Sequence, residues 1–247
     1  MSLENALLYG FLTGLPLIGG AILTKFASFG GKTLGAIMAF GSGALIVVIT
    51  FSLMSESYEN GGIVVASVGF ISGVILFSTG NYFINKRGGK RRKQCSHPQE
   101  MTHDPNSEGK ALALGSLMDN IPESLALGVS AISGTVGIAF LAGIIVSNFS
   151  ESVASSQTMK IAKMNTKSIV ITWSAIGMAN MVSAAIGFLV LSQLGSEAIA
   201  FALALAAGAI LAMLSETMIP EAYRHGGFFI SFATALGFLM SFALVIA

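Results

Sequence analysis

Long apolar runs decide what this chain can fold into. Eight stretches of mostly apolar residues each reach the roughly 20 residues that a helix needs to span a bilayer. They lie at 5–24, 33–56, 62–84, 111–131, 135–158, 168–193, 197–219 and 227–246. Charged residues make up only 10% of the 247 residues, against about 25% in soluble domains. The sequence therefore predicts an all-α polytopic membrane protein with a single transmembrane domain over 1–247, and excludes an ordinary soluble enzyme and a disordered chain.

The basic residues mark one side of the membrane. All 13 Lys and Arg residues lie in or beside the connections between spans 1 and 2, 3 and 4, 5 and 6, and 7 and 8. The other connections and both ends of the chain carry none. Because basic loops stay cytoplasmic, we expect both termini to lie outside the cell membrane. The net charge of +1 and the single cysteine, Cys95, indicate no nucleic-acid partner, no disulfide framework and no cysteine-based zinc site.

Two internal repeats predict the order of the spans. Residues 43–62 align without a gap with residues 208–227. The first copy ends span 2 and the second ends span 7, which cross in opposite directions, so the repeat is inverted, as in many transporters. A shorter repeat relates residues 119–124 in span 4 to residues 147–152 in span 5. The alternative is chance similarity between apolar helices. The repeats predict an eight-helix bundle in 3+2+3 order.

Four acidic residues fall inside the spans: Asp119 and Glu123 in span 4, Glu151 in span 5 and Glu216 in span 7. An ionisable group at the bilayer centre costs about 2.5–3.5 kcal/mol on insertion scales. No Lys or Arg lies in the interior of any span. We therefore expect these acids to face the bundle interior and to be balanced by protons, by a bound metal ion, or by both.

Further oxygen-bearing side chains accompany these acids. Asp119 and Glu123 are spaced i, i+4 and share a helix face, and Pro122 between them frees a backbone carbonyl. Two antiparallel helices would bring six side chains to similar depth, with a seventh from span 6: Asp119, Asn120, Glu123, Ser147, Asn148, Glu151 and Asn180. Such a cluster suits a divalent cation.

Three alternatives stay open at this point. The three acids of spans 4 and 5 can be protonated groups with a purely structural role. Asn148 and Asn180 can make interhelical hydrogen bonds instead of binding an ion. Glu216 can be a ligand, a gating group or a helix-packing acid.

The segment 119–124, Asp-Asn-Ile-Pro-Glu-Ser, resembles the His-Asn-x-Pro-Glu-Gly signature of the ZIP (Zrt/Irt-like) family of divalent metal transporters. Residues 147–152 resemble the family's partner motif on span 5, and residues 219–222 resemble its span 7 ending. The resemblance implies one metal position at Asp119, Glu123 and Glu151, and an adjacent one at Asn120, Glu123, Asn148 and Glu151. Asn180 falls where some members carry a carboxylate.

The chain departs from that pattern in its ligand chemistry. The signature histidine is Asp119 here, and its counterpart on span 5 is Ser147. The three histidines of the chain all lie in predicted cytoplasmic loops. An all-oxygen site favours Mn²⁺ or Mg²⁺ and tolerates Fe²⁺, while Zn²⁺ also accepts carboxylates. The predicted cargo is therefore a divalent metal such as Zn, Fe, Mn, Cd or Co.

The only long connection, 85–110, is predicted to be a flexible cytoplasmic loop. It contains Cys95, His97 and His103. A transient metal relay is one interpretation of these residues, and a solvated linker is the simpler one.

Together these features predict a transporter that moves a divalent metal towards the cytoplasm, with no catalytic residue and no catalytic cofactor. Its partners are the metal ion and the lipid bilayer, and its small-residue helix faces allow a homodimer. A proton- or sodium-coupled carrier of another solute is the main rival. An intramembrane enzyme is less favoured, because no His-Glu-x-x-His pair and no second aspartate lies in a span.

Overall fold

Helices account for nearly all of the chain that the structure, a computed structural model, describes: residues 2–86, 105–132 and 137–246. These residues form α1 (Leu3–Phe26), α2 (Gly31–Val47), α3 (Ser55–Lys86), α4 (Pro105–Ser130), α5 (Ile138–Ile161), α6 (Thr166–Leu191), α7 (Ser196–Met213), α8 (Ile219–Gly226) and α9 (Ile230–Ile246). Two π-helical segments, Val48–Met54 and Leu214–Met218, join α2 to α3 and α7 to α8, and a 3₁₀ turn, Gly227–Phe229, precedes α9. No strand occurs in these ranges, which confirms the predicted all-α class.

Five helical stretches of the described chain are long and apolar enough to cross a membrane. They are Leu3–Phe26, Gly31–Ile84, Ile138–Ile161, Thr166–Leu191 and Ser196–Ile246. Two of them, with 54 and 51 residues, far exceed the roughly 20 residues of one crossing. Helix α4 carries more polar side chains and is not among the five stretches found in the described residues. The long apolar helices agree with a membrane-embedded protein.

The helices on either side extend into the segment 85–110, which was predicted to be a loop. Helix α3 continues to Lys86, and α4 already begins at Pro105, six residues before the predicted start of span 4. The prediction missed the first turns of α4 because it followed apolar composition alone, and these turns contain polar residues such as Asn106, Ser107 and Glu108. Cys95, His97 and His103, the residues of the predicted relay or linker, lie outside the described residues.

Side-chain contacts fix how neighbouring helices run. Asn148 Nδ2 of α5 donates to the Thr13 carbonyl of α1, and Ser152 Oγ donates to the Leu17 carbonyl. The separation in sequence is 135 in both pairs, so α1 and α5 run parallel. Gly10 of α1 faces Met181 of α6, whereas Gly14 faces Gly177, so these two helices are antiparallel.

The same reasoning orients the remaining helices. Helices α4 and α6, α3 and α7, and α2 and α9 run parallel, while α2 with α5 and α3 with α4 are antiparallel. Helices α1, α3, α5 and α7 therefore point one way, and α2, α4, α6 and α9 point the other. The contacts that establish these directions are Asn120 with Asn180, Leu125 with Gly187, Gly61 with Ala200, Gly73 with Leu205, Phe40 with Gly237, Phe51 with Phe242, Gly41 with Ser150, Val48 with Gly143, Glu56 with Ser130, and Gly80 with Met118.

The two aligned segments 43–62 and 208–227 share unusual backbone features. Each contains a π-helical segment, Val48–Met54 in the first and Leu214–Met218 in the second. Each ends at a glycine with positive φ, Gly62 at 69° and Gly227 at 57°. These two glycines are aligned in the sequence repeat. A new helical direction follows each of them, so the predicted starts of spans 3 and 8 coincide with breaks in the backbone.

Glycine-rich helix faces are used for packing within the chain. A Cβ on Gly73 of α3 would collide with the Leu205 carbonyl of α7, and a Cβ on Gly208 would collide with the Phe70 carbonyl. A Cβ on Gly128 of α4 would likewise collide with the Ala184 carbonyl of α6. Small residues let membrane helices approach this closely. The small-residue faces on these helices are thus covered by other helices of the same chain.

Candidate cation site between helices α4, α5 and α6

The structure places the predicted polar residues of spans 4, 5 and 6 in the interior of the bundle. Helix α4 supplies Asp119, Asn120 and Glu123, helix α5 supplies Ser147, Asn148 and Glu151, and helix α6 supplies Asn180. All seven are buried, and the most exposed of them, Glu151, has a relative exposure of only 4%. The expectation that these acids face the bundle interior is therefore confirmed for Asp119, Glu123 and Glu151.

A chain of side-chain amides runs across the site to a carboxylate. Asn180 Nδ2 on α6 donates to Asn120 Oδ1 on α4 at 3.1 Å. Asn120 Nδ2 in turn donates to Glu151 Oε2 on α5 at 2.9 Å, and also to the Ser116 carbonyl at 2.9 Å. The central amide thus points its N–H groups at the carboxylate and its oxygen at Asn180. These hydrogen bonds link α4, α5 and α6, the three helices that the sequence predicted to contribute to the site.

Helix α1 takes part in the site, which the sequence analysis missed. Asn148 uses its amide nitrogen to bond the Thr13 carbonyl of α1 at 2.8 Å. One turn further along α5, Ser152 bonds the Leu17 carbonyl of the same helix. Because every residue has a backbone carbonyl, the sequence does not show which carbonyls accept such bonds. The signal that could have been used was the spacing of Gly10, Gly14 and Gly20, which lets α1 approach α5 and α6.

The bond between Asn120 and Glu151 sets the register of two antiparallel helices. Each step towards the C-terminus of α4 is matched by one step towards the N-terminus of α5. Residues at the same level therefore include Glu123 with Asn148, Ser124 with Ser147, and Ser116 with Ser155. All six are buried. Polar side chains consequently line the α4–α5 contact for about one helical turn on either side of the Asn120–Glu151 bond.

Several buried polar atoms of these helices form no hydrogen bond with the described residues. They include Ser124 Oγ, Asn148 Oδ1, Ser155 Oγ, Ser156 Oγ, Trp173 Nε1 and Asn180 Oδ1. Other buried hydroxyls, such as those of Ser42 and Ser150, donate to the carbonyl four residues earlier. A buried polar atom left unsatisfied costs about 1–3 kcal/mol. Such atoms are where a buried water or a bound ion is expected.

The acids do not form a ready-made metal cage. Across the residues that the structure describes, no three side chains of His, Cys, Asp or Glu lie together so as to hold a metal ion. The three-carboxylate position that the family resemblance implies at Asp119, Glu123 and Glu151 is therefore not assembled in this conformation. A cation between α4 and α5 would need amide or hydroxyl oxygens as ligands in addition to carboxylates.

The expectation that Glu216 faces the bundle interior is wrong, because its side chain is exposed and bonds to another helix. Its carboxylate accepts hydrogen bonds from Ser78 Oγ and from Asn81 Nδ2, the latter at 2.7 Å, and both donors belong to α3. Asn81 is buried with 5% exposure. Of the three roles left open for Glu216, these contacts favour helix packing, because they join the π-helical segment after α7 to α3.

Two further acids lie near the ends of the repeated segments. Glu56 Oε2 accepts a bond from Ser130 Oγ at 3.4 Å, which connects the start of α3 to the end of α4. Glu221 and His225 pair at 2.9 Å within α8. Both acids lie one helical turn or more before the glycine breaks at Gly62 and Gly227.

Comparison with known proteins identifies no family. No family model matches the chain, and no curated protein matches it. The likeness to the ZIP signature therefore depends on the motif residues alone.

Proposed function

We propose that this protein is a transporter, with no enzymatic activity, that moves a divalent transition-metal ion across the cell membrane towards the cytoplasm. The eight helical segments that alternate in direction each cross the bilayer once, with both termini outside. The segments form a 3+2+3 inverted repeat in which α1 to α3 correspond to α6, α7 and α9. The alternating helix directions and the shared backbone breaks at Gly62 and Gly227 support this arrangement.

One observation carries the proposal: the buried acids lie in long stretches of sequence that contain no basic residue. Asp119, Glu123 and Glu151 are buried, and no Lys or Arg occurs in residues 111–159 or 168–223. Each such acid costs about 2.5–3.5 kcal/mol in the bilayer interior unless it is compensated. A transported cation and the protons it displaces supply the compensation. The carboxylates would then be balanced in turn by protons and by metal.

The donor set favours a cation with affinity for oxygen. Carboxylates, side-chain amides and hydroxyls suit Mn²⁺ and Fe²⁺, and they also accept Zn²⁺, Cd²⁺ and Co²⁺. Asn148 lies at the level of Glu123, and Ser124 follows Glu123 in the chain. Asn148 Oδ1 and Ser124 Oγ bond no other described residue. They are the neutral ligands that would complete a coordination shell around Glu123 and Glu151.

Transport requires the site to open to each side of the membrane in turn. Helices α1, α4, α5 and α6 hold the polar residues and bond to one another across the site. Helices α2, α3, α7 and α9 form the other extensive pairings, α3 with α7 and α2 with α9. We propose that the first group rocks against the second. Asp119 lies nearer the cytoplasmic end of α4 than Glu123 and would receive the ion on its way out.

The decisive experiment measures metal uptake by the purified chain in proteoliposomes. Mn²⁺ uptake is followed in competition with Zn²⁺, Fe²⁺, Cd²⁺ and Co²⁺. Glu123→Gln and Glu151→Gln keep the side-chain volume and remove the charge, so each should lower uptake by about tenfold or more. Glu197→Gln removes an exposed acid at the start of α7 and should leave uptake unchanged.

The same assay identifies the rivals. Wild-type uptake of all five metals at the rate of empty liposomes would contradict the proposal. Uptake of an organic solute driven by protons or sodium, without binding of any metal, would assign the acids to the coupling ion instead. Unchanged metal uptake in both glutamine variants would remove the site from the transport path.

A further inference from the structure

The amide of Asn120 is oriented so that it cannot bind a cation together with Glu151. Its two N–H bonds point at Glu151 Oε2 and at the Ser116 carbonyl, while its only metal-binding atom, Oδ1, faces Asn180. An N–H group carries partial positive charge and cannot ligate a metal. A cation bound to both Glu151 and Asn120 therefore requires the Asn120 amide to turn by half a revolution about its last side-chain bond.

That rotation has a consequence for Asn180. Once Asn120 turns, its NH₂ group faces α6, where it would meet the NH₂ group of Asn180. Two donors facing each other inside a membrane would each lack an acceptor. The conflict disappears if Asn180 turns as well, because its Oδ1 then accepts from Asn120 Nδ2. Reversal of both amides keeps the hydrogen bond between them, whereas reversal of either one alone would lose it. In both cases Asn120 gives up its bonds to Ser116 and Glu151, which the bound cation must outweigh.

The structure holds a second observation that points the same way. Asn180 is fully buried, with 0% exposure, yet its Oδ1 accepts no hydrogen bond from any described residue. In the reversed arrangement this oxygen receives the Asn120 N–H. Turning the Asn180 amide therefore breaks only its bond to Asn120 among the described residues, and the reversed pair forms that bond again with donor and acceptor exchanged.

We propose that Asn120 and Asn180 form a coupled amide pair that reverses when a divalent cation binds at Glu151. Without the cation, Asn180 donates to Asn120 and Asn120 donates to the carboxylate. With the cation, Asn120 Oδ1 ligates the metal and Asn120 Nδ2 donates to Asn180 Oδ1. Asn180 is thus a positioning residue that acts through Asn120 and does not touch the metal. The proposal rests on the metal transport proposed above. It adds how Asn120 changes from a hydrogen-bond donor to Glu151 into a ligand of the metal.

The direct test is a titration of the purified wild-type chain in micelles with Cd²⁺, a diamagnetic ion that tolerates oxygen ligands. Asparagine side chains are labelled with ¹⁵N, and their NH₂ signals are assigned by single substitution. The signals of Asn120 and Asn180 should shift together along one saturation curve. Asn165, which caps α6 through a 2.7 Å bond from the Ser168 amide to its Oδ1, is the internal control and should not move.

A variant fixes the reversed orientation in advance. In Asn180→Asp the ionised carboxylate can only accept, so it competes with Glu151 for the Asn120 NH₂ group and favours the orientation that presents Oδ1 to Glu151. The titration is run at a pH at which this carboxyl group is ionised. We expect the Asn120 signal of metal-free N180D to resemble that of Cd²⁺-bound wild type, and the Kd for Cd²⁺ to fall by about tenfold or more. The uptake assay should then show a lower KM together with a lower kcat, since release is slowed. Asn165→Asp makes the same chemical change at the cap and should alter neither value.

The added charge must be separated from the amide effect. Asn180→Asp is therefore repeated in an Asn120→Leu background, where no amide can turn. The gain in Cd²⁺ affinity should shrink by about fivefold or more, as expected when one residue acts through another. Equal gains in the two backgrounds would show that the introduced carboxylate acts by its charge or as a ligand, and would overturn the coupled pair.

The outcomes distinguish this inference from the proposed function. If the wild-type chain binds none of Zn²⁺, Fe²⁺, Mn²⁺, Cd²⁺ and Co²⁺, metal transport fails and takes the amide pair with it. If Cd²⁺ alone does not bind, the same titration is run with Zn²⁺, which is also diamagnetic. If Cd²⁺ binds and Glu151→Gln abolishes binding, but the Asn180 signal stays fixed, only the coupled pair is wrong. Because the titration uses the unmodified chain, poor folding of N180D would not leave the inference untested.

Discussion

At the scale of single residues, the bonds of Glu216 lead to a prediction about stability. Glu216→Leu removes the acceptor of both Ser78 and the buried Asn81, and should lower the free energy of unfolding by about 1–3 kcal/mol. Glu216→Gln should lie in between, because its oxygen still accepts from one donor. Thermal unfolding in detergent micelles, followed by fluorescence of the single tryptophan, Trp173, which is fully buried, gives the measurement.

Exposed Glu59 provides the matched control for Glu216. Glu59→Leu should leave the unfolding midpoint close to that of wild type. The helix-packing role also requires that Glu216→Gln keep the KM for metal uptake. A raised KM with an unchanged midpoint would instead make Glu216 a ligand.

The burial of single residues could be predicted from the sequence, whereas their bonding could not. Asp119, Glu123 and Glu151 were expected inside the bundle because charge is costly in lipid, and each is buried there. Which end of an amide faces which neighbour has no counterpart in the sequence, since oxygen and nitrogen belong to the same side chain. Asn120 and Asn148 match in the short repeat, yet the first bonds a carboxylate and the second bonds a backbone carbonyl of α1.

At the scale of helices, the breaks were predictable where glycine causes them. Predicted span 3 begins at Gly62, and the backbone turns at this residue with φ of 69°. The π-helical segments were not predicted, because Val48–Met54 and Leu214–Met218 contain ordinary helix-compatible residues and one extra residue per turn leaves no compositional mark. The early start of α4 was missed for a related reason, since its first turns are polar.

The two glycine breaks predict a pair of equivalent substitutions. A Cβ at Gly62 or Gly227 would meet no atom within 4 Å, so any cost must come from the backbone. Because both have positive φ in a region that only glycine adopts readily, Gly62→Ala and Gly227→Ala should each destabilise the protein by about 1–3 kcal/mol. The Trp173 unfolding midpoint is again the readout.

The control for these breaks is Gly19, a helical glycine that also has open space around it and ordinary φ. Gly19→Ala should be neutral or stabilising, by about 0.5–1 kcal/mol. Equal effects at Gly19, Gly62 and Gly227 would mean that the breaks carry no conformational strain.

At the scale of the whole molecule, the alternation of helix directions is the feature on which the proposed eight-span topology depends. The number of predicted spans came from apolar length and from the one-sided placement of Lys and Arg, which together restrict the possible topologies. The sequence could not show which helices are neighbours, because interior faces of membrane helices are as apolar as lipid-facing ones. The pairing of α3 with α7 and of α1 with α6 is visible only in the folded chain.

The topology can be tested with the single native cysteine. Cys95 lies in the basic connection that we expect in the cytoplasm. A membrane-impermeant maleimide should leave it unlabelled in intact cells and label it after permeabilisation. In a Cys95→Ser background, Gly195→Cys, at the exposed turn before α7, should show the opposite behaviour. Labelling of Cys95 in intact cells would reverse the proposed orientation.

The bonds from α5 to the carbonyls of α1 have a mechanical consequence. Asn148 and Ser152 donate to backbone carbonyls that are four residues apart on α1, and the donor and acceptor are 135 residues apart in sequence in both bonds. Sliding one helix along the other by less than a full turn of about 5.4 Å would break both bonds at once without offering new partners. Helix α1 must therefore move together with α5. A fluorophore or spin label attached near Ser2 would report the displacement of α5, which carries Glu151, from a position far from the site.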